Sequence, residues 1–364
     1  MTEAPSAPQA AIRRGRDRPQ GKPRGEAPCY GALDLGTNNC RLLIATPQGP
    51  GAFRVIEAYS RIVRLGEGLT QSGRLSDAAM ERAMAALKVS AEKLRRRRVV
   101  RLRAIATQAC RMAENGPAFI ERVHEETGLR LQIIPPQEEA RLSVAGCLNL
   151  IDRTADAALV VDVGGGSTEL SWVDLRGAPP TGPPPLKAWL SVPIGVVTLA
   201  ERFPEGDVAT EPWFRAMVET MKAEIARFER AEPLRDVFEA DRAHLIGTSG
   251  AITSLAGLHL GLKRYERAAV DGLWMTEPQC RAVADRLLTL TNPQRAAEPC
   301  IGPDRADLVL AGAAILQAVQ ELWPCERVRV ADRGLREGLL LSLMADPQRR
   351  RRRRRAQRFD QAAA

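Results

Sequence analysis

The chain has 364 residues, 45% hydrophobic and 27% charged, a profile of a globular protein long enough for two domains, each with its own core. No apolar run approaches the roughly 18 residues of a membrane helix, and the first 28 residues carry Lys and Arg without a secretory apolar stretch, so a cytoplasmic protein with no membrane contact is expected. The formal charge is +9, but residues 1–28 hold six Lys/Arg against three Asp/Glu and residues 346–364 hold eight Arg against two Asp, which accounts for all of it.

The body between these tails is therefore electrically balanced, and the basic pI reports on the ends. Residues 1–28 and 346–364 read as disordered tails. The run Arg349–Arg355 is ordinarily a solvated end; its alternative is an electrostatic arm for a polyanion, with nucleic acid contact left open. Seven scattered cysteines without a C-x-x-C pair fit reduced thiols better than a disulfide frame. Three histidines (His124, His244, His259) are too few for a His-rich metal centre.

In chain order, "CYGALDLG" and "CRLLIAT" read as strands joined by Gly36–Asn39, and "AFRVIEAYSRIV" as a third. Ser76 caps a helix running to about Arg98, with Ala79, Ala83, Met84, Leu87 and Leu94 near a 3.6 period. "RLRAIAT" is a strand, Gly116–Thr127 a helix stopped by Gly128, "LRLQIIP" a strand, and "QEEARLSVAGCLNLI" a helix after Pro135-Pro136. A second βαβ-rich unit starts at Ala158. Its strands fall near Leu159–Val163, Glu169–Val173 and Lys187–Val192, its helices near Val197–Phe203 and Pro212–Glu229, and a Pro-rich connector spans Arg176–Pro185. "HLIGTSG" is a strand entering a turn before a helix; later helices fit Glu277–Thr289, Arg305–Leu322 and Leu335–Met344, with "RVRVADRG" a late strand. The domains are thus 29–140 and 141–345.

The halves begin alike. "GALDLGTNNCRLLIA" and "LVVDVGGGSTELSWV" both run apolar strand, Asp, apolar, Gly-containing loop, second strand. Two related domains with facing Gly turns make a cleft lined by both. Bare backbone N–H groups in such turns cradle phosphate, which makes Asp34–Asn39 and Asp162–Thr168 candidate phosphate loops. An acid beside phosphate is repulsive unless it holds a cation, so Asp34 and Asp162 argue for a divalent ion, Mg²⁺ first.

Glu138 and Glu139 sit in the first turn of a helix, where the dipole favours acids. A carboxylate there facing the cleft can act as general base, and Glu169 is a second candidate. Arg111, four residues beyond a strand end, can clamp phosphate. The strand-to-helix turn at Thr248, Ser249 and Gly250 is a further anion or nucleotide site, and Asp332, Arg333 and Arg336 lie at the last such junction.

These segments resemble the exopolyphosphatase and guanosine pentaphosphate phosphatase (Ppx/GppA) family. "ALDLGTNNCRLLI", "ATQACRMAEN", "QEEARLS", "VVDVGGGSTEL", "IGTSGAITSLAG" and "DRGLREG" stand in that family's order from about Tyr30 to Met344. The resemblance implies an α/β fold of two actin-like (ribonuclease H-like) domains with the active site between them. It implies metal-dependent hydrolysis of a terminal phosphoanhydride, of inorganic polyphosphate first and guanosine pentaphosphate second. By the same resemblance Glu139 is the general base and Glu169 assists it. Phosphate is bound by Asp34, Gly36, Thr37, Asn38, Arg41, Arg111, Gly164, Gly165, Gly166 and Ser167. Where the family usually has Ser-Gly before the Glu pair, this chain has Pro135-Pro136, which stiffens the helix entry. The chain resembles the short, two-domain members, and a C-terminal helical domain with His-Asp metal-hydrolase character is not expected. A homodimer is compatible with this reading. The competing readings are a sugar or acid kinase of the same superfold and a non-catalytic polyphosphate- or nucleotide-binding regulator.

Overall fold

The computed structural model describes residues 27–178, 184–227 and 234–345. Both tails apart from residues 27 and 28, the centre of the Pro-rich connector and the expected end of the 212–229 helix lie outside the described residues.

The first half runs β1 (Tyr30–Leu35), β2 (Asn39–Gly49), β3 (Ala52–Ile62), α1 (Leu69–Ser72), α2 (Asp77–Arg96), β4 (Arg101–Ala106), α3 (Gln108–Met112), α4 (Gly116–Thr127), β5 (Leu131–Ile133) and α5 (Pro136–Cys147). The second runs β6 (Ala157–Val163), β7 (Thr168–Asp174), β8 (Leu186–Val192), α6 (Val196–Arg202), α7 (Glu211–Ala226), α8 (Arg235–Glu239), β9 (Ala243–Thr248), α9 (Gly250–His259), α10 (Arg267–Val270), β10 (Trp274–Thr276), α11 (Glu277–Thr289), α12 (Asn292–Ala297), α13 (Val309–Leu322) and β11 (Arg327–Ala331), then α14 over 335–345.

The sheets have the orders β3-β2-β1-β4-β5 and β8-β7-β6-β9-β11-β10. In each, the first three strands are antiparallel and the next two run parallel to the first. The second half therefore repeats the first with one extra edge strand, β10, antiparallel to β11. The internal repetition in the sequence is an architectural duplication, the two actin-like domains expected.

Local chemistry accounts for the elements. β1 is buried along its length and β6 nearly so, as central strands covered on both faces must be. The Ser76 hydroxyl accepts the Ala79 N–H at 3.3 Å to start α2, whose buried face includes Ala79, Ala83, Met84, Leu87 and Leu94. Gly128 ends α4 with φ 73. The helix expected from Arg305 begins only at Val309, because Gly302 turns left-handed (φ 73) and Pro303 follows it. Residues 302–308 form a turn instead.

Two helices cross between the halves. In α5, Val144 and Cys147 pack with Ala158, Val160 and Val173 of the second sheet. In α14, Leu339, Leu340, Leu343 and Met344 pack with Tyr30, Ala32, Leu43 and Ile105 of the first. A Cβ on Gly146 would lie 1.9 Å from the Gly334 carbonyl, and one on Gly338 2.0 Å from that of Leu142, so the crossing is backbone against backbone. The expected boundary at 140/141 thus falls inside α5, and 335–345, assigned to the second domain, packs on the sheet of the first.

Candidate active site

The two hairpin loops are built alike. Gly36 N–H donates to the Asn39 carbonyl at 2.9 Å, and Gly164 N–H to that of Ser167 at 2.9 Å. Their carbonyls are tied back: Asn38 O accepts from Val63 and Arg64, Thr37 O from Gly66, and Gly164 and Gly165 O from Val196 and Val197. The N–H groups of Thr37, Asn38, Gly165 and Gly166 make no hydrogen bond among the described residues. These are the donors an anion needs.

The register pairs Asp34 with Arg41 in one hairpin and Asp162 with Glu169 in the other. The position opposite the strand-end acid is thus a cation in the first domain and an anion in the second. One duplicated frame carries an arginine on one wall and a glutamate on the other.

None of Gly36, Gly164, Gly165 or Gly166 has a positive φ. What bars a side chain is contact. A Cβ on Gly166 would lie 2.5 Å from Thr37 Oγ1, and one on Gly165 3.0 Å from Asn38 N and Cβ. The opposing loop packs over Gly165, and the two domains meet there.

Six carboxylates line the cleft among the described residues: Asp34, Glu139, Asp162, Glu169, Asp332 and Glu337. Pro135, extended at φ −71 and ψ 155, accepts the Glu138 and Glu139 N–H groups at 3.0 and 3.2 Å, so the proline pair fixes the entry to α5. Glu138 points away and pairs with Arg103. Glu139 turns inward and is 7% exposed. Glu169 accepts the Ser191 hydroxyl at 2.8 Å, and Asp162 accepts that of Ser143. Asp34 Oδ1 is buried without a partner.

Burial, then the neighbouring charge of Asp162, holds the Glu169 carboxyl up at about 7. Burial, then the charge of Glu169, pushes Glu139 well above the ordinary carboxylate range. Asp34 is raised to about 6 by burial, against the pull of Arg41 and Arg336, and Asp162 is raised by burial.

Arg41, Arg305 and Arg336 line the same cavity of about 390 Å³ and make no ion pair among the described residues. Arg41 and Arg305 flank the start of α9, where a Cβ on Gly250 would lie 3.5 Å from Arg41 Nη2 and 3.8 Å from Arg305 Cζ. Beside them Ser249 has φ 95 and a buried hydroxyl without a partner. Three unpaired guanidiniums, bare loop amides and a buried acid pair make a site for an extended phosphate anion.

The family model for the Ppx/GppA phosphatase family matches residues 44–346. The chain belongs to the Ppx/GppA phosphatase family. It is a hydrolase of phosphoanhydrides. It is 30% identical over 325 residues to "Exopolyphosphatase 2" of Mycobacterium tuberculosis, covering 86% of this chain and 97% of that one. The Aquifex aeolicus Ppx/GppA structure superposes with a TM-score of 0.70 at 28% identity, covering 88% of this chain and 98% of that one. An exopolyphosphatase structure from Cytophaga hutchinsonii shares the fold, with a TM-score of 0.77 at 24% identity over 87% of this chain and 98% of that one. No helix of the described residues is long and apolar enough to cross a membrane.

Of the site residues named individually from sequence, all but Glu138 and Arg111 line this Ppx/GppA cavity. Arg111, expected to clamp phosphate, stands outside this cavity wall and gives four of its five hydrogens to protein acceptors, Nε donating to Gln108 Oε1 at 3.2 Å. Nη1 donates to Ile134 O at 2.7 Å and Glu139 Oε2 at 3.3 Å, and Nη2 to Gln108 Oε1 at 2.6 Å. It holds Glu139 in place. Thr248 lines the cavity while donating its hydroxyl to Arg333 O at 2.7 Å. Arg305 and Tyr265 were missed. The Gly302-Pro303 pair was the signal that could have taken Arg305 out of the helix. Nothing in the sequence marks Tyr265, which is the one aromatic side chain on the described cavity wall.

No three His, Cys, Asp or Glu among the described residues are grouped to hold a metal. Mg²⁺ usually takes one or two carboxylates with water and substrate oxygens, and the orphaned Asp34 Oδ1 beside Asp162 suits that donor set.

Proposed function

We propose that this Ppx/GppA member is an exopolyphosphatase that removes the terminal phosphate of inorganic polyphosphate. The observation that carries the reading is the wall of three arginines, unpaired among the described residues, facing a cleft whose described wall has a single aromatic side chain. That wall recognises repeated phosphate and offers little to a base. The name of the Mycobacterium tuberculosis relative supports it.

In this reading the bare amides of Thr37, Asn38, Gly165 and Gly166 hold the terminal phosphoryl group, while Arg41, Arg305 and Arg336 hold the chain behind it. Ionised Glu139 accepts a proton from water as the water oxygen forms its bond to phosphorus, and the bridging P–O bond breaks to leave the shortened chain. Glu169, oriented by Ser191, directs that water. Asp34 and Asp162 would hold Mg²⁺, which when bound neutralises developing charge on the phosphoryl oxygens. The seven free thiols, all but Cys29 buried, fit the reducing cytoplasm.

The test is phosphate release from long-chain polyphosphate and from guanosine pentaphosphate, with and without Mg²⁺. Preference for polyphosphate is expected, and release from the nucleotide alone would overturn it. Tyr265, 38% exposed, favours the nucleotide as second reading, because a guanine can stack on it. Tyr265→Ala is expected to leave polyphosphate turnover within about twofold and to weaken any nucleotide turnover by about tenfold, the worth of one stacked base.

Burial also predicts a pH dependence of stability. Glu139 and Glu169 bind protons more tightly folded than unfolded, with Glu169 at about 7 against an ordinary 4.5. The folded protein then holds the extra protons, and stability falls as pH rises through the folded values. Buried His244, held near 4 against 6.5, acts oppositely but only below 6.5. The melting temperature of the magnesium-free protein should therefore fall from about pH 6.5 to 8, and Glu169→Gln should flatten the fall. A melting temperature that rises across this interval would contradict the assignment.

A further inference from the structure

The turn that delivers Arg305 is anchored from the opposite domain. Asp307, two residues beyond Arg305, receives Arg64 of the first domain in a two-pronged pair: Nη1 to Oδ2 at 2.9 Å and Nη2 to Oδ1 at 3.2 Å. Nη2 also donates to the Asp304 carbonyl at 3.3 Å. The fork thus grips this turn on both sides of Arg305.

Arg64 is held stiffly at its own end. Its φ is 45, a left-handed conformation uncommon outside glycine. Its N–H donates to the Asn38 carbonyl at 3.1 Å. Arg82 braces the same segment, donating to Val63 O at 2.9 Å. A second cross-domain bond lies nearby, Gly68 N–H to Glu201 Oε1 at 2.9 Å. Arg64 therefore touches the first phosphate loop through its backbone and the Arg305 turn through its side chain. The ion pair is about one-third exposed on the arginine side and less than half on the aspartate side. Such pairs add little to global stability, so its effect is geometric.

We propose that Arg64 is a positioning residue that couples domain closure to the placement of Arg305. With the fork engaged, Arg305 stands beside Arg41 at the start of α9. With it released, the turn loses its anchor and the site keeps two ordered guanidiniums. The inference rests on the proposed function for its substrate, though not for its geometry.

The experiment uses the full chain and five variants: Arg64→Ala, Asp307→Ala, Arg305→Ala, the Arg64→Ala/Arg305→Ala double and the charge swap Arg64→Asp/Asp307→Arg. Arg64→Ala and Asp307→Ala should each raise KM for long-chain polyphosphate about tenfold with kcat within about twofold, a coupling typical of groups acting through one network. In the Arg305→Ala background, Arg64→Ala should add nothing. The charge swap Arg64→Asp/Asp307→Arg should recover part of the KM. Additive effects of Arg64→Ala and Arg305→Ala, or an unchanged KM, would overturn the proposal.

Hydrogen exchange without substrate gives a readout free of activity. The Leu308 and Val309 amides, which donate to Arg305 O at 3.0 Å, should exchange faster in Arg64→Ala. Unchanged exchange there would overturn the coupling. If the unaltered protein released no phosphate from polyphosphate, the proposed substrate would fall while exchange still decided the role of Arg64.

Discussion

Glu139→Gln is expected to lower kcat on polyphosphate by about 10²–10⁴, the usual worth of a general base. KM should hardly move. Glutamine keeps the shape of the side chain and an oxygen for Arg111, which reaches Glu139 at 3.3 Å. It removes only the capacity to take a proton from water. Glu138→Gln is the control, because that side chain turns away from the cleft to pair with Arg103 and should leave kcat unchanged. Steady-state phosphate release decides between them. A silent Glu139→Gln beside a dead Glu138→Gln would reverse the assignment of the base.

Gly165→Val should lower turnover by at least about 10²-fold, since a misplacement of about 1 Å at reacting groups already costs that much. The added Cβ starts 3.0 Å from Asn38 N and Cβ and 3.1 Å from Thr37 Cβ, and the valine methyls extend further. The loops must part, and the amides from the two domains no longer converge on one phosphoryl group. The fold should survive, because the strain falls on two loops and not on a core. Calorimetric binding of tripolyphosphate, run beside a thermal melt, reads both effects. Normal turnover with a normal melt would mean that the loops need not meet for chemistry.

The frame of this site was legible because its signals are local. An apolar strand ending in Asp and followed by glycines appears twice, and both copies became central strands carrying loops with the same closing bond. Ser76 announced α2 because capping is a contact three residues long. What was not legible depends on distance. Arg305 and Arg64 are tied through Asp307, 243 positions from Arg64, and no local pattern encodes that contact. Arg111 stands just beyond a strand end, as expected, but two of the acceptors it meets, the Ile134 carbonyl just past β5 and Glu139 of α5, lie more than twenty positions away in sequence. Spacing alone left Glu138 and Glu139 equivalent; the choice needed the family resemblance, and in the structure Arg103 draws one of them outward. The apolar side of α14 was visible as something to bury, while the sheet that covers it was not.

The exchange of helices between the halves bears on how such a molecule can be divided. Severed between α5 and β6, the N-terminal fragment would present Val144 and Cys147 without their sheet. The C-terminal fragment would present Leu339, Leu340 and Leu343 without theirs. Each fragment keeps a core of its own on one side of its sheet but leaves the other side open, and each carries what the other lacks, so the two made together should reassociate where either alone precipitates. Each half thus finishes the other, as exchanged arms do in a domain-swapped pair, and the point of exchange is the backbone crossing at Gly146 and Gly338.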